Sequence, residues 1–110
     1  MIQIKKEKTN SFSFSLKTEG GITLLKSVEF HSEEAIKKTI TSLYPLVKNN
    51  NAFERRTNSS GEFLFNLKDG NGRIIGNSQL YNSEAGMENG IKNLRNRITS
   101  LPPNLDLGLV

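Results

Sequence analysis

Few of the 110 residues could do covalent chemistry. The chain holds one histidine, His31, and no cysteine. A nucleophilic or metal-assisted site would have to be assembled from carboxylates and hydroxyls. His31 directly precedes Ser32, a good helix N-cap, and nothing in the surrounding sequence orients it as a general base. Its expected place is a surface loop. Glu33 and Glu34 could be read as a carboxylate pair. Adjacent helical positions point in different directions, so favourable charge at the positive end of a helix explains them better. Glu19-Gly20-Gly21 and Asp69-Gly70-Asn71-Gly72 superficially look like phosphate loops. Each joins strand to strand and lacks the Lys-Ser/Thr and following helix of a P-loop, so hairpin turns are expected. The sequence offers no catalytic residue, cofactor site or metal site.

One binding chemistry does have residues to carry it. Gly61-x-Phe63-x-Phe65 is similar to the aromatic strand of RNA-binding sheets, whose rings stack on bases. Lys17, Lys68 and Arg73 could meet phosphates. The competing reading places both rings in the core, and it is favoured because only 35% of residues are apolar. Exposure of Phe63 and Phe65 separates the two. A third reading is partner contact or self-assembly through a sheet edge.

The formal net charge is +4, and the 8 lysines and 5 acids before residue 52 make that half the more basic. Such a balance permits nucleic-acid contact without indicating it. The opening MIQIKKEK alternates apolar and charged residues and has no hydrophobic block, so it does not read as a signal peptide. No apolar run reaches bilayer length. A cytoplasmic protein is the expectation.

The elements that must position these residues are written twice. Displaced by 51 positions, residues 12–47 lie over residues 63–98 without a gap. Phe12 meets Phe63, Phe14 meets Phe65, and Leu16-Lys17 meets Leu67-Lys68. Gly21 meets Gly72, Ser27 meets Ser78, Ser32-Glu33 meets Ser83-Glu84, and Ile40 and Leu43 meet Ile91 and Leu94. Agreement at strand faces, turns, caps and helix stripes means one supersecondary unit used twice.

Period-two alternation predicts strands over 2–8, 12–17 and 22–27, and again over 52–57, 63–68 and 73–78. Ser32 and Ser83 cap helices whose buried stripes are Ile36, Ile40, Leu43, Val47 and Met87, Ile91, Leu94, Ile98. Pro45 should stop or bend the first helix. Gly90, beside the second stripe, suggests a close helix-to-sheet approach. Arg55 falls over Ile4 and breaks the pattern. Residues 105–110 read either as a last edge strand or as a loose end. The strand at 53–57 directly follows the first helix and could pair in either half.

The fold class that follows is α+β: two tandem β-β-β-α repeats forming one antiparallel sheet, with both helices on one face. The expected organisation is a single domain over 1–110, with a degenerate repeat at 1–51 and a well-preserved one at 52–110 that includes the tail. The residues Phe63-x-Phe65-x-Leu67, Asn71-Gly72, Ser78, Tyr81-x-Ser83 and Gly90-Ile91 resemble the YegP-like family of small bacterial proteins. Repeat one lacks the Asn-Gly, the Tyr and the Gly-Ile. Gln79 stands where the family often has an acid and Asn93 where it often has Ser. The resemblance implies one continuous sheet with a C-terminal strand swapped between units. It implies no activity and no site residue. The functional expectation is a non-enzymatic binding or assembly module, with single-stranded RNA binding as the alternative.

Overall fold

The structure, a computed structural model, describes residues 2–101. Its strands are β1 (Ile2–Lys8), β2 (Ser11–Lys17), β3 (Thr23–Ser27), β4 (Phe53–Thr57), β5 (Phe63–Lys68) and β6 (Ile74–Asn77). They form one open antiparallel sheet in the order β1-β2-β3-β6-β5-β4. Three helices cover one face: α1 (Glu33–Thr41), α2 (Leu43–Leu46) and α3 (Glu84–Thr99). A short 3-10 turn, Asn50–Ala52, leads into β4.

Alternation decides which side chains meet the helices. Ile4, Phe12, Phe14, Leu16, Leu25, Phe53, Phe65 and Leu67 join the stripes of α1, α2 and α3 in one buried cluster. The ladders on the two sides share their register 51 positions apart. Ile2 faces Leu16 and Ile4 faces Phe14, as Phe53 faces Leu67 and Arg55 faces Phe65. Each inner ladder skips one residue on its second strand, Leu24 in β3 and Ile75 in β6, and both turn inward and are buried.

Local hydrogen bonds fix the strand ends and helix starts. Ser32 Oγ accepts from Ala35 N–H at 3.0 Å, and Ser83 Oγ accepts from Gly86 N–H at 3.0 Å. Ser27 Oγ accepts from Phe14 N–H at 2.8 Å and donates to Val28 O at 2.8 Å. Ser78 does the same with Phe65 N–H and Gln79 O, at 2.9 and 2.7 Å. A buried amide thus gains a partner that no strand supplies.

Between the halves, β3 and β6 pair through Lys26 with Asn77 and Ser27 with Gly76. A Cβ on Gly76 would lie 2.7 Å from the Lys26 carbonyl oxygen, so this seam closes only over glycine. On one side of the sheet, β4 pairs with β5 and extends the second half. The tail at 105–110 lies outside the described residues.

Two expectations are corrected in detail, and the departure at Arg55 gains a physical account. The first helix breaks at Ser42 rather than at Pro45. Proline withholds the N–H that the Thr41 carbonyl would accept, so the disruption appears in the turn before it. Ser42 N–H and Oγ then bond back to Thr39 O at 3.1 and 2.7 Å. What approaches Gly90 is the Tyr81 ring rather than the sheet: a Cβ there would fall 2.2 Å from Tyr81 Oη. At the matching place the pair is Phe30 and Thr39, and a ring without a hydroxyl leaves room for a side chain. Arg55 stands on the helix side at the sheet margin, where its Nη2 donates to Glu88 Oε1 of α3 at 3.1 Å. An ion pair to the helix takes the place of the buried Ile4 contact.

The open sheet face as candidate functional site

The uncovered face carries the other half of every strand's alternation. One row of side chains crosses all six strands: Gln3, Ser15, Lys26, Asn77, Asn66 and Glu54, each paired to the next. In the second half this row is knitted together. Asn77 Nδ2 donates to Asn66 Oδ1 at 2.7 Å, and Asn66 Nδ2 donates to Glu54 Oε1 at 3.1 Å. Arg56 Nε donates to Glu54 Oε1 at 2.9 Å, and Lys68 Nζ lies 2.7 Å from Glu54 Oε2. These donors favour the anion, Arg56 most, then Lys68, then Asn66, and hold the Glu54 carboxyl at about 2.

The first half differs. Gln3, Lys5, Ser15, Lys17 and Lys26 line a shallow depression of about 410 Å³, with Glu7 also on its wall. Glu7 Oε1 accepts from Ser13 Oγ at 3.4 Å. Among the described residues no carboxylate lies within ion-pair distance of Lys5 or Lys26.

The five residues of the RNA-binding alternative, Lys17, Phe63, Phe65, Lys68 and Arg73, lie on different faces. Phe65 is 0% exposed and packs edge-on against Phe53 at 5.8 Å between ring centroids. Phe63 is half-buried against the same core and exchanges backbone hydrogen bonds with Tyr81 at 2.8 and 2.7 Å. Lys17 and Lys68 lie on the opposite face, and Lys68 is engaged by Glu54. Arg73 follows the β5–β6 turn and borders a helix-side groove with Val28, Phe30 and Lys38. The physical reason is alternation: positions 63, 65 and 67 share one face of β5, and 68 falls on the other. A base stacked on Phe65 would have to displace a helix.

The other candidates take structural places. His31 is 81% exposed at its side chain, 3.7 Å from Glu29. Glu33 pairs with Lys37 one turn on, at 2.8 Å. The stretch 69–72 is a turn in which Asp69 Oδ1 accepts from Asn71 and Arg73 N–H at 2.8 and 3.0 Å. Sequence reasoning passed over Glu54, Asn66 and Lys26. Their signal was present as the polar half of each strand's alternation.

The fold therefore defines an α+β protein with a single six-stranded open sheet, helices on one side and a polar face on the other. Comparison places it among relatives of that build. A family model described as "Domain of unknown function (DUF1508)" matches residues 58–100. The chain is 36% identical over 98 residues to the UPF0339 protein YegP of Escherichia coli strain K12, covering 89% of each. A UPF0339 protein of Pseudomonas aeruginosa is 33% identical over 92 residues, covering 84% of each. The solution NMR structure of E. coli YegP superposes with a TM-score of 0.82 at 35% identity, covering 90% of this chain and 85% of that one. The structure of the Shewanella oneidensis UPF0339 protein SO3888 gives 0.83 at 27% identity, covering 90% and 84%. The chain belongs to the UPF0339 (YegP) family, as its motifs implied. Among the described residues no helix is long and apolar enough to cross a membrane.

Proposed function

We propose that the protein is a cytoplasmic, non-enzymatic binding or assembly module. Its single domain is built from two β-β-β-α copies, 1–51 and 52–110, and it meets its partner with the open sheet face. One observation carries this reading: helices occupy one side of the sheet, while the other presents a continuous polar row backed by one buried apolar cluster. Side chains on paired strands are held more precisely than side chains on loops, which suits recognition. The matched ladder registers and the twin Ser27 and Ser78 hydrogen bonds support the reading of two copies.

The test is an NMR shift map of the labelled protein against peptides of either charge, an oligonucleotide and common nucleotides. Perturbed amides should gather on β1, β2, β3 and β6 at open-face positions. Perturbation confined to the helix side, or conversion of any compound during the titration, would refute the proposal.

A further inference from the structure

We infer that Asn71 is a site of spontaneous modification, at which the backbone closes on the side chain, ammonia leaves and isoaspartate or aspartate remains, and that Asp69 sets its pace. The site stands independently of any role for the open sheet face. The step Asn-Gly occurs twice in the chain, at Asn71-Gly72 and at Asn89-Gly90. Glycine after asparagine leaves the attacking amide nitrogen unshielded, because it has no Cβ. Both asparagines are exposed, so their backbones, and not access of water, separate them. Asn89-Gly90 lies inside α3, where each N–H is bound to the carbonyl four residues back. Ring closure there requires the helix to unwind, and the Tyr81 hydroxyl fills the space beside Gly90. Asn71-Gly72 lies in the exposed β5–β6 turn. Its Gly72 N–H donates to Asp69 O at 3.1 Å, and beyond the chain neighbours nothing comes within 4 Å of a Cβ built at Gly72. Opening that one bond frees the Gly72 nitrogen to approach Asn71 Cγ.

The Gly72 nitrogen forms a bond to Asn71 Cγ and gives its proton to water. The bond from Cγ to the side-chain nitrogen breaks, and that nitrogen takes up a proton and leaves as ammonia. Water then opens the cyclic imide. Attack at Cγ restores the ordinary backbone with aspartate, and attack at the main-chain carbonyl leaves isoaspartate, with the chain routed through Cβ and Cγ. Nothing is oxidised or reduced, and water is the only co-reactant. Asp69 restrains the first step. Its Oδ1 accepts from Asn71 N–H at 2.8 Å and from Arg73 N–H at 3.0 Å, and its own N–H donates to Arg73 O at 2.8 Å. The residues on both sides of the reacting bond are thus tied to one side chain. Either product adds a negative charge beside Asp69. Isoaspartate also lengthens the main chain within a turn whose flanking residues, Lys68 and Ile74, are paired.

The test holds the folded full chain in mildly alkaline heavy-oxygen water and follows it by mass spectrometry of timed digests. The heavy oxygen marks conversion during the incubation, and electron-transfer fragmentation separates isoaspartate from aspartate. Asn71 should be lost about tenfold or more faster than Asn89, because turns open far more often than helix interiors. Isoaspartate should be the main product. In urea, where only the local sequence acts, the two asparagines should be lost at similar rates. Asp69→Ala removes the side-chain acceptor and should speed the loss of Asn71 severalfold in the folded chain and not in urea. The amide spectrum of the variant checks its fold. Asn89 lost as fast as Asn71 in the folded chain overturns the site. So does Asn71 left intact over the time in which the chain in urea loses both. A folded Asp69→Ala chain that loses Asn71 no faster than the parent overturns the part given to Asp69.

Discussion

Glu54 shows how much one residue's neighbours can set its chemistry. Its carboxyl sits at about 2 against an ordinary 4.5, so the folded chain resists protonating it while the unfolded chain does not. The resulting stabilisation is complete above pH 4.5 and is lost as pH falls from there through about 2. Carboxyl-carbon NMR should place the Glu54 midpoint near 2, and a midpoint near 4.5 would show that the three donors do not hold it. Tyr81 and Gly90 make a second residue-scale case. The Tyr81 hydroxyl is buried without a hydrogen-bond partner. Tyr81→Phe removes an unpaired polar group and should raise stability by about 1 kcal/mol in urea unfolding. Gly90→Ala places its methyl against that ring and should lower stability by about 1–3 kcal/mol, despite alanine's better helix propensity.

At the scale of elements, the serines at the strand ends hold neighbouring backbone in place. Ser78→Ala strands the Phe65 amide, and Ser27→Ala strands that of Phe14. Each should cost about 1–3 kcal/mol, and Thr, which keeps the hydroxyl, should recover part of it. The Arg55–Glu88 link is more exposed, at 34% and 44% of the two side chains. A double-mutant cycle should therefore give a coupling below about 1 kcal/mol. Strand positions and helix starts were legible because strand alternation, capping serines and turn glycines are local signals, whereas the break at Ser42 was not. Phe63, Phe65 and Lys68 were legible too, since their parity on β5 already separates rings from charge. The row from Gln3 to Glu54 was not. It depends on β3 lying beside β6, a long-range pairing that no local pattern encodes, and on bulges at Leu24 and Ile75 that shift the register. The occupant of the space beside Gly90 was hidden for a related reason: a glycine announces a close approach without naming what approaches.

For the whole molecule, one buried cluster spans both halves, so unfolding should be a single transition with coincident fluorescence and circular-dichroism midpoints. Two separated midpoints would mean that the halves are independent. The weak point of the joint is Gly76. Gly76→Ala should speed hydrogen exchange at the Val28 amide, which bonds to Ile75 O at 2.8 Å across the seam. Exchange within the β1–β2 ladder should change less. That same glycine also fixes the roles of the two halves. Its counterpart across the joint is Leu25, whose Cγ would be 3.1 Å from a Cβ at 76. Two first halves brought face to face would set leucine against leucine where only leucine against nothing fits. The pairing is exclusive: a second copy of the first half could not stand in for the second at this seam.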